Sequence, residues 1–155
     1  AGGAAKSVAL KLAQQKAASV CICNRTLSKA EELCAADSTK TLTAAPMDGG
    51  VLCNLMPKTD LLINCTSLGM TGVTAQFEDL SFLDTLPQHA PVCDLIYSPP
   101  ETLFLEQARL RGHQTLNGLN MLIWQAIFAL EQFTNTHIDG QAMKDVLSPI
   151  LTPST

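Results

Sequence analysis

The sequence predicts an α/β domain built on a doubly wound parallel sheet. Short, nearly uncharged runs rich in Val, Ile, Leu and Cys recur along the chain, as strands covered on both faces require. Between them lie stretches whose apolar residues have helical spacing. The order is helix, strand, helix, strand, strand, helix, strand, helix, and such alternation builds parallel β-α units.

The first sixteen residues, AGGAAKSVALKLAQQK, open on small residues and turn helical, with Val8, Ala9, Leu12 and Ala13 as a narrow apolar stripe. Ser19–Cys23 is a strand short and apolar enough to be buried on both faces. Asn24-Arg25-Thr26 leads into a helix over about residues 27–36. Thr26 or Ser28 is its candidate N-cap, and Glu31 and Glu32 lie near the favourable end of its dipole. Residues 38–57 carry Pro46, Gly49, Gly50 and Pro57, so loops around one short strand and one short helix are expected. Asp60–Cys65 is the clearest strand and ends in the polar loop Thr66–Met70. Pro91–Tyr97 is another, stopped by Pro99-Pro100. A helix follows at about 101–111 and closes on Gly112. His113–Leu116 is a last short strand, Asn117-Gly118 a turn, Leu119–Phe133 the strongest helix, and about 140–148 a final short one.

A chain of 155 residues suits one domain with one core, and no repeat or linker divides it. Aromatic residues are only 5%, so that core rests on Leu, Ile, Val, Ala and Met. A net charge of −4 without any Lys/Arg run argues against broad nucleic-acid or membrane-surface binding. The six cysteines form no C-x-x-C pair and the three histidines no ligand spacing, so no metal site is expected. Cys21, Cys23, Cys65 and Cys93 sit in apolar runs and are expected to be reduced core thiols of a cytoplasmic protein. No signal peptide is expected, and no apolar run approaches ~20 residues.

Four places carry chemistry. Ala1-Gly2-Gly3-Ala4 before a helix has the character of a glycine-rich phosphate loop, since glycine admits close backbone approach and the helix start offers N–H groups. A plain Ala/Gly helix start has the same residues. Past the next strand, an NAD-binding fold carries an acid for the ribose 2′-hydroxyl. Here Arg25, Thr26 and Lys29 stand instead, donors suited to a 2′-phosphate. Alone, Arg25 is also an ordinary solvated arginine. Asn64 and Thr66 lie at a strand's carboxyl end, where ligands of open α/β sheets bind, although they also suit loop capping. Tyr97 has the same placement, with packing against the prolines as its alternative. Gln125 lies in line with Met121 and Leu122 on the strongest helix, as a ligand contact or as a core amide bonded to backbone.

Together the segments AGGAAKSV, NRTLSK, DLLINCTSLGM, DLIYSPPETLFLEQARLRG and NGLNMLIWQA resemble the shikimate dehydrogenase family, from Ala1 to about Thr134. The resemblance implies a Rossmann-like NADP-binding domain. It places Ala1, Gly2, Gly3 and Ala4 around the pyrophosphate. Asn24, Arg25, Thr26, Leu27, Ser28 and Lys29 form the next cofactor segment, with Arg25 and Lys29 on the 2′-phosphate. Asn64, Thr66, Leu95, Met121 and Gly118 complete the cofactor contacts, Leu95 and Gly118 beside the nicotinamide, and Tyr97 and Gln125 touch the substrate. The implied reaction is reversible NADPH-dependent reduction of 3-dehydroshikimate to shikimate, in aromatic amino-acid biosynthesis.

Three positions depart from the family pattern. Asn117 stands for its usual Asp, as in quinate/shikimate relatives, so quinate is carried as an alternative substrate. Asn120 replaces a glycine, and Ser98 an asparagine. No catalytic residue is expected in this chain, because the family's proton-handling Lys and Asp lie in an N-terminal substrate domain of roughly 100 residues. The first strand of the nucleotide fold is also expected to be missing, leaving two open strand edges. On that basis the chain alone is expected to be inactive. Its final helices, 118–150, are expected to pack toward the absent domain, or the chain to form a homodimer. The alternatives are a glutamyl-tRNA reductase-like or methylenetetrahydrofolate dehydrogenase-like NADP domain, or a non-catalytic nucleotide-binding or assembly module.

Overall fold

The computed structural model describes residues 2–151, so Ala1 lies outside the described residues. Helix α1 spans Gly3–Gln14 and leads to strand β1, Val20–Asn24. Helix α2, Leu27–Ala35, returns to β2, Leu42–Pro46. Helix α3, Gly49–Leu55, runs into a 3-10 turn at Met56–Lys58 and then β3, Leu62–Asn64. After a second 3-10 turn, Ser81–Thr85, come β4, Val92–Asp94, and α4, Leu103–Leu110. Strand β5, Thr115–Leu116, and helices α5, Leu119–Thr134, and α6, Gly140–Leu151, complete the described residues.

All strand pairs are parallel, as β-α-β connections require. The sheet falls into two parts: β1 pairs with β2 over five residues, and β3, β4 and β5 pair in that order. Among the described residues, β1 and β3 each have a strand on one side only.

Each part has its own core. In the first, Ala9 and Ala13 of α1 and Ala30 and Leu33 of α2 close on Ile22 and Leu42. Small alanines let both helices approach the strands. In the second, Val92 is surrounded by Met56, Leu86, Phe104, Leu105 and Ala108. The 3-10 turn adds Phe82 and Leu83, both essentially inaccessible, and Phe77 stacks on Phe104 at 5.2 Å between ring centroids. Each such side chain contributes about 1.5–3 kcal/mol on burial. This Phe77–Leu86 contribution to the core had no periodic signature in the sequence.

Several expectations are corrected. Strand β1 is covered on one face: Val20 and Ile22 enter the core, whereas Cys21 is exposed and Cys23 half-buried on the opposite face. Cys65 and Cys93 are also only half-buried, so none of the four is a fully buried core thiol, although all six cysteines are free. Strand β4 stops at Asp94, because the Asp94 carboxylate accepts the Ile96 N–H and turns the chain out of the ladder. Thr26 holds the N-cap position of α2 without a side-chain cap bond, and no acidic residue falls in that helix's first turn.

Candidate functional site

The parallel strands put Asn24, Asn64, Asp94 and Leu116 at carboxyl ends, and the segments that follow them carry most of the candidate residues. Helix α1 connects to β1 through a short turn and packs on it, so its start at Gly2–Ala4 shares the end of β1 where Asn24 and Arg25 lie. Gly2 is the N-cap of α1, and nothing lies within 4 Å of the place a Cβ would occupy on Gly2 or Gly3. No side chain caps this helix start, and the space beside its two glycines is open, which leaves room for an anion to approach.

Asn24 closes β1. Its carbonyl accepts the Met47 N–H at 3.1 Å, and its side-chain amide donates to the Thr26 carbonyl at 2.7 Å. This fixes the bend that carries Arg25, Thr26, Leu27, Ser28 and Lys29 outward, all of them exposed. The turn from Arg25 to Lys29 holds two cationic side chains and two hydroxyls, and no carboxylate. That donor set fits a doubly charged phosphate, and the turn lacks the carboxylate that holds a ribose 2′-hydroxyl in NAD-binding folds.

In the second part Asn64 is buried, and both ends of its amide bond within the protein. Its nitrogen donates to Asp94 Oδ1 at 3.1 Å, and its oxygen accepts from the Thr66 N–H at 2.9 Å and hydroxyl at 2.8 Å. The Thr66 hydroxyl in turn accepts the Leu68 N–H at 3.2 Å. The Asn64 side chain thus ties the loop together, and Thr66 is exposed at its surface. Asp94 also accepts from Thr102 Oγ1 at 2.7 Å, and Thr102 caps α4 by accepting the Leu105 N–H. Burial pushes the Asp94 carboxyl up, against the Thr102, Ile96 and Asn64 hydrogen bonds that favour its charged form.

The Leu95–Ser98 segment is pinned on three sides. Leu95 N–H donates to the Asn64 carbonyl at 3.0 Å, Gly118 N–H to the Ile96 carbonyl at 2.9 Å, and Thr71 N–H to the Ser98 carbonyl at 2.8 Å. Tyr97 stands in this segment with about half its surface exposed, 49%. Asn117 donates to the Pro100 carbonyl and accepts the Leu119 N–H, tying the same segment to the start of α5. The structure therefore brings Leu95, Tyr97 and Gly118 together around Asn64 and Thr66. Met121 is half-buried and Gln125 exposed on α5, one turn apart. Sequence reasoning missed Asp94 and Thr102; the only signal was an Asp inside an otherwise apolar strand.

Among the described residues no group of three or more His, Cys, Asp or Glu is placed to hold a metal ion. Nor is any described helix long and apolar enough to cross a membrane.

Parallel β-α units, with loops gathered at their carboxyl ends, define a Rossmann-like α/β unit. The chain belongs to the shikimate/quinate 5-dehydrogenase family, whose model matches residues 1–79. It is 40% identical over 150 residues to the shikimate dehydrogenase (NADP(+)) of Desulforamulus reducens, covering 95% of this chain and 51% of that protein. Among solved structures, the quinate dehydrogenase of Corynebacterium glutamicum in complex with NAD is similar with a TM-score of 0.80 and 26% identity, covering 95% of this chain and 52% of that one. Ligand-free 5-ketofructose reductase of a Gluconobacter strain is similar with a TM-score of 0.77 and 36% identity, covering 96% and 53%. The chain spans about half the length of the relatives it matches.

Proposed function

We propose that this chain is the NADP-binding portion of a shikimate dehydrogenase that reversibly reduces 3-dehydroshikimate to shikimate. The observation that carries the reading is the acid-free donor set at the end of β1, Arg25, Thr26, Ser28 and Lys29, beside the open start of α1. Gly2, Gly3 and Ala4, with Ala1 ahead of them, offer backbone N–H groups to the pyrophosphate. Arg25 and Lys29 hold the 2′-phosphate, and Asn24 orients their turn. Leu95, Gly118 and Met121 form the apolar wall for the nicotinamide, and Thr66 offers a hydroxyl at the loop surface. Tyr97 and Gln125, both exposed, supply polar contacts to the substrate. When bound, the cofactor supplies the hydride; this chain's residues fix its distance and face.

Quinate is the second reading, favoured by Asn117. Its side chain is bonded to Pro100 and Leu119, so it acts on the substrate through the shape of the wall.

Helices α5 and α6 leave Trp124, Phe128, Leu130, Phe133, Val146 and Ile150 exposed, and Phe133 is 89% accessible. We read this apolar face as the surface that packs on a further domain or a second copy, and the open edges of β1 and β3 as places for one more strand. The six free cysteines support a cytoplasmic location.

Titration of NADPH and NADH, followed by nucleotide fluorescence, tests the reading. NADPH binds more tightly; equal affinity defeats the 2′-phosphate assignment. Mixed with NADPH and 3-dehydroshikimate, the chain produces no turnover, and a real rate defeats the view that proton-handling groups come from another domain.

A further inference from the structure

The side chain that ties the second half of the site together belongs to Asp94, the first residue of the DLIYSPPETLFLEQARLRG segment, whose carboxylate is engaged wholly within the protein. Asp94 is 1% exposed, among the most deeply buried side chains of the protein, and is the only acidic residue in the described core. Its two oxygens take three donors from three different segments. Asn64 Nδ2 reports the end of β3, the Ile96 N–H the segment leading to Tyr97, and Thr102 Oγ1 the start of α4. Each partner has a second bond that extends the tie. Asn64 holds Thr66, Thr102 caps α4, and the Ile96 carbonyl accepts from Gly118 at the head of α5. Removing one carboxylate therefore leaves three buried donors unpaired in three different segments.

We propose that Asp94 is the positioning residue of this site: by holding Asn64, Ile96 and Thr102 at once, it sets the Leu95–Tyr97 segment against Gly118 and so fixes the nicotinamide-binding wall. This inference rests on the nucleotide reading above. The Arg25 end of the site lies on the other part of the sheet and has no bond to Asp94. The two ends can therefore be separated by probe. Adenosine 2′,5′-bisphosphate carries the 2′-phosphate without the nicotinamide, whereas NADPH reaches both ends.

The experiment measures the affinity of both probes, by calorimetry, for the wild-type chain and for Asp94→Ala, Thr102→Val and Thr102→Ser. The wild-type chain binds NADPH more tightly than the bisphosphate. Asp94→Ala and Thr102→Val keep the bisphosphate affinity but lose about tenfold in NADPH affinity. Thr102→Ser, which retains the hydroxyl, keeps both. If Asp94→Ala does not fold, Thr102→Val against Thr102→Ser carries the comparison. A merely structural role lowers both affinities by the same factor, and that result, or no change in either, overturns the proposal. A wild-type chain that binds both probes equally overturns it too while leaving the 2′-phosphate site standing. One that binds neither defeats the nucleotide reading and this proposal with it.

Discussion

Gly118 lies directly against the main chain of Leu95: a Cβ built on Gly118 would fall on the Leu95 carbonyl oxygen, with the Leu95 and Ile96 carbonyl carbons next nearest. The φ of Gly118 is −74°, which any residue adopts, so space and not backbone conformation demands glycine here. The contact is backbone to backbone, in a segment already bonded to Asn64 and Thr71, and has no flexible side chain to give way.

Gly118→Ala therefore forces α5 away from the Leu95–Tyr97 segment. The expected cost is about 1–3 kcal/mol of stability, read from the midpoint of urea unfolding. Hydrogen exchange at the Gly118 amide accelerates with it. An alanine variant as stable as the wild type would show that the two segments are free to separate.

Gly140 is crowded in a different way, because an added Cβ would meet the ring of Trp124. Here the neighbour is a side chain, and the ring can swing toward solvent. Gly140→Ala is expected to cost only about 1 kcal/mol but to shift the fluorescence of the chain's single tryptophan to the red. An unshifted spectrum would mean that α6 does not pack on Trp124.

Arg25→Ala separates the cofactors. Loss of a charge-assisted contact to the 2′-phosphate lowers NADPH affinity by about tenfold or more, while NADH affinity changes by less than about twofold. Parallel losses for both nucleotides would remove Arg25 from the 2′-phosphate site.

Asp37 gives a pH dependence. The Thr39 hydroxyl and N–H, with the Leu42 and Thr41 N–H groups, hold its carboxyl down at about 2 from an ordinary 3.8. A folded-state value below the unfolded one gives stability that is fully present above pH 3.8 and lost as pH falls toward about 2. The carboxyl carbon resonance of Asp37 is expected to titrate at that low midpoint. In Asp37→Asn the entry to β2 loses its acid sensitivity in that window.

The thiols are expected to differ in reactivity. Hydrogen bonding from Cys23 and, more weakly, from Thr43 lowers Cys21 to about 6 against the effect of its partial burial, while Cys23 is raised and Cys65 is pushed up to about 11 by burial. At pH 7 the exposed Cys21 is the thiolate, so iodoacetamide labels it first among the six. Cys23→Ala removes the donor and slows that labelling; peptide mass spectrometry follows both. Equal labelling of Cys21 and Cys34 in the wild type would contradict the assignment.

The elements were legible wherever the pattern was local. Val20–Asn24, Leu62–Asn64 and Leu119–Thr134 announce themselves by apolar runs and helical spacing, and Arg25 in place of an acid is readable from one position. The Phe77–Leu86 stretch was not legible, because a 3-10 turn that buries Phe82 and Leu83 has no period to detect. The exposure of Cys21 was not legible either, since an apolar strand looks the same whether one face is covered or two.

By itself the sequence determined the order of strands and helices, the family, and the donor types at the phosphate end, because these depend on residue identity and short spacing. Only the tertiary structure decided that Asn64 turns inward, that Asp94 joins β3, β4 and α4, and that Gly118 closes on Leu95. Those contacts span 30 residues in the Asn64–Asp94 pair, and no local spacing encodes which buried donors a distant carboxylate will satisfy.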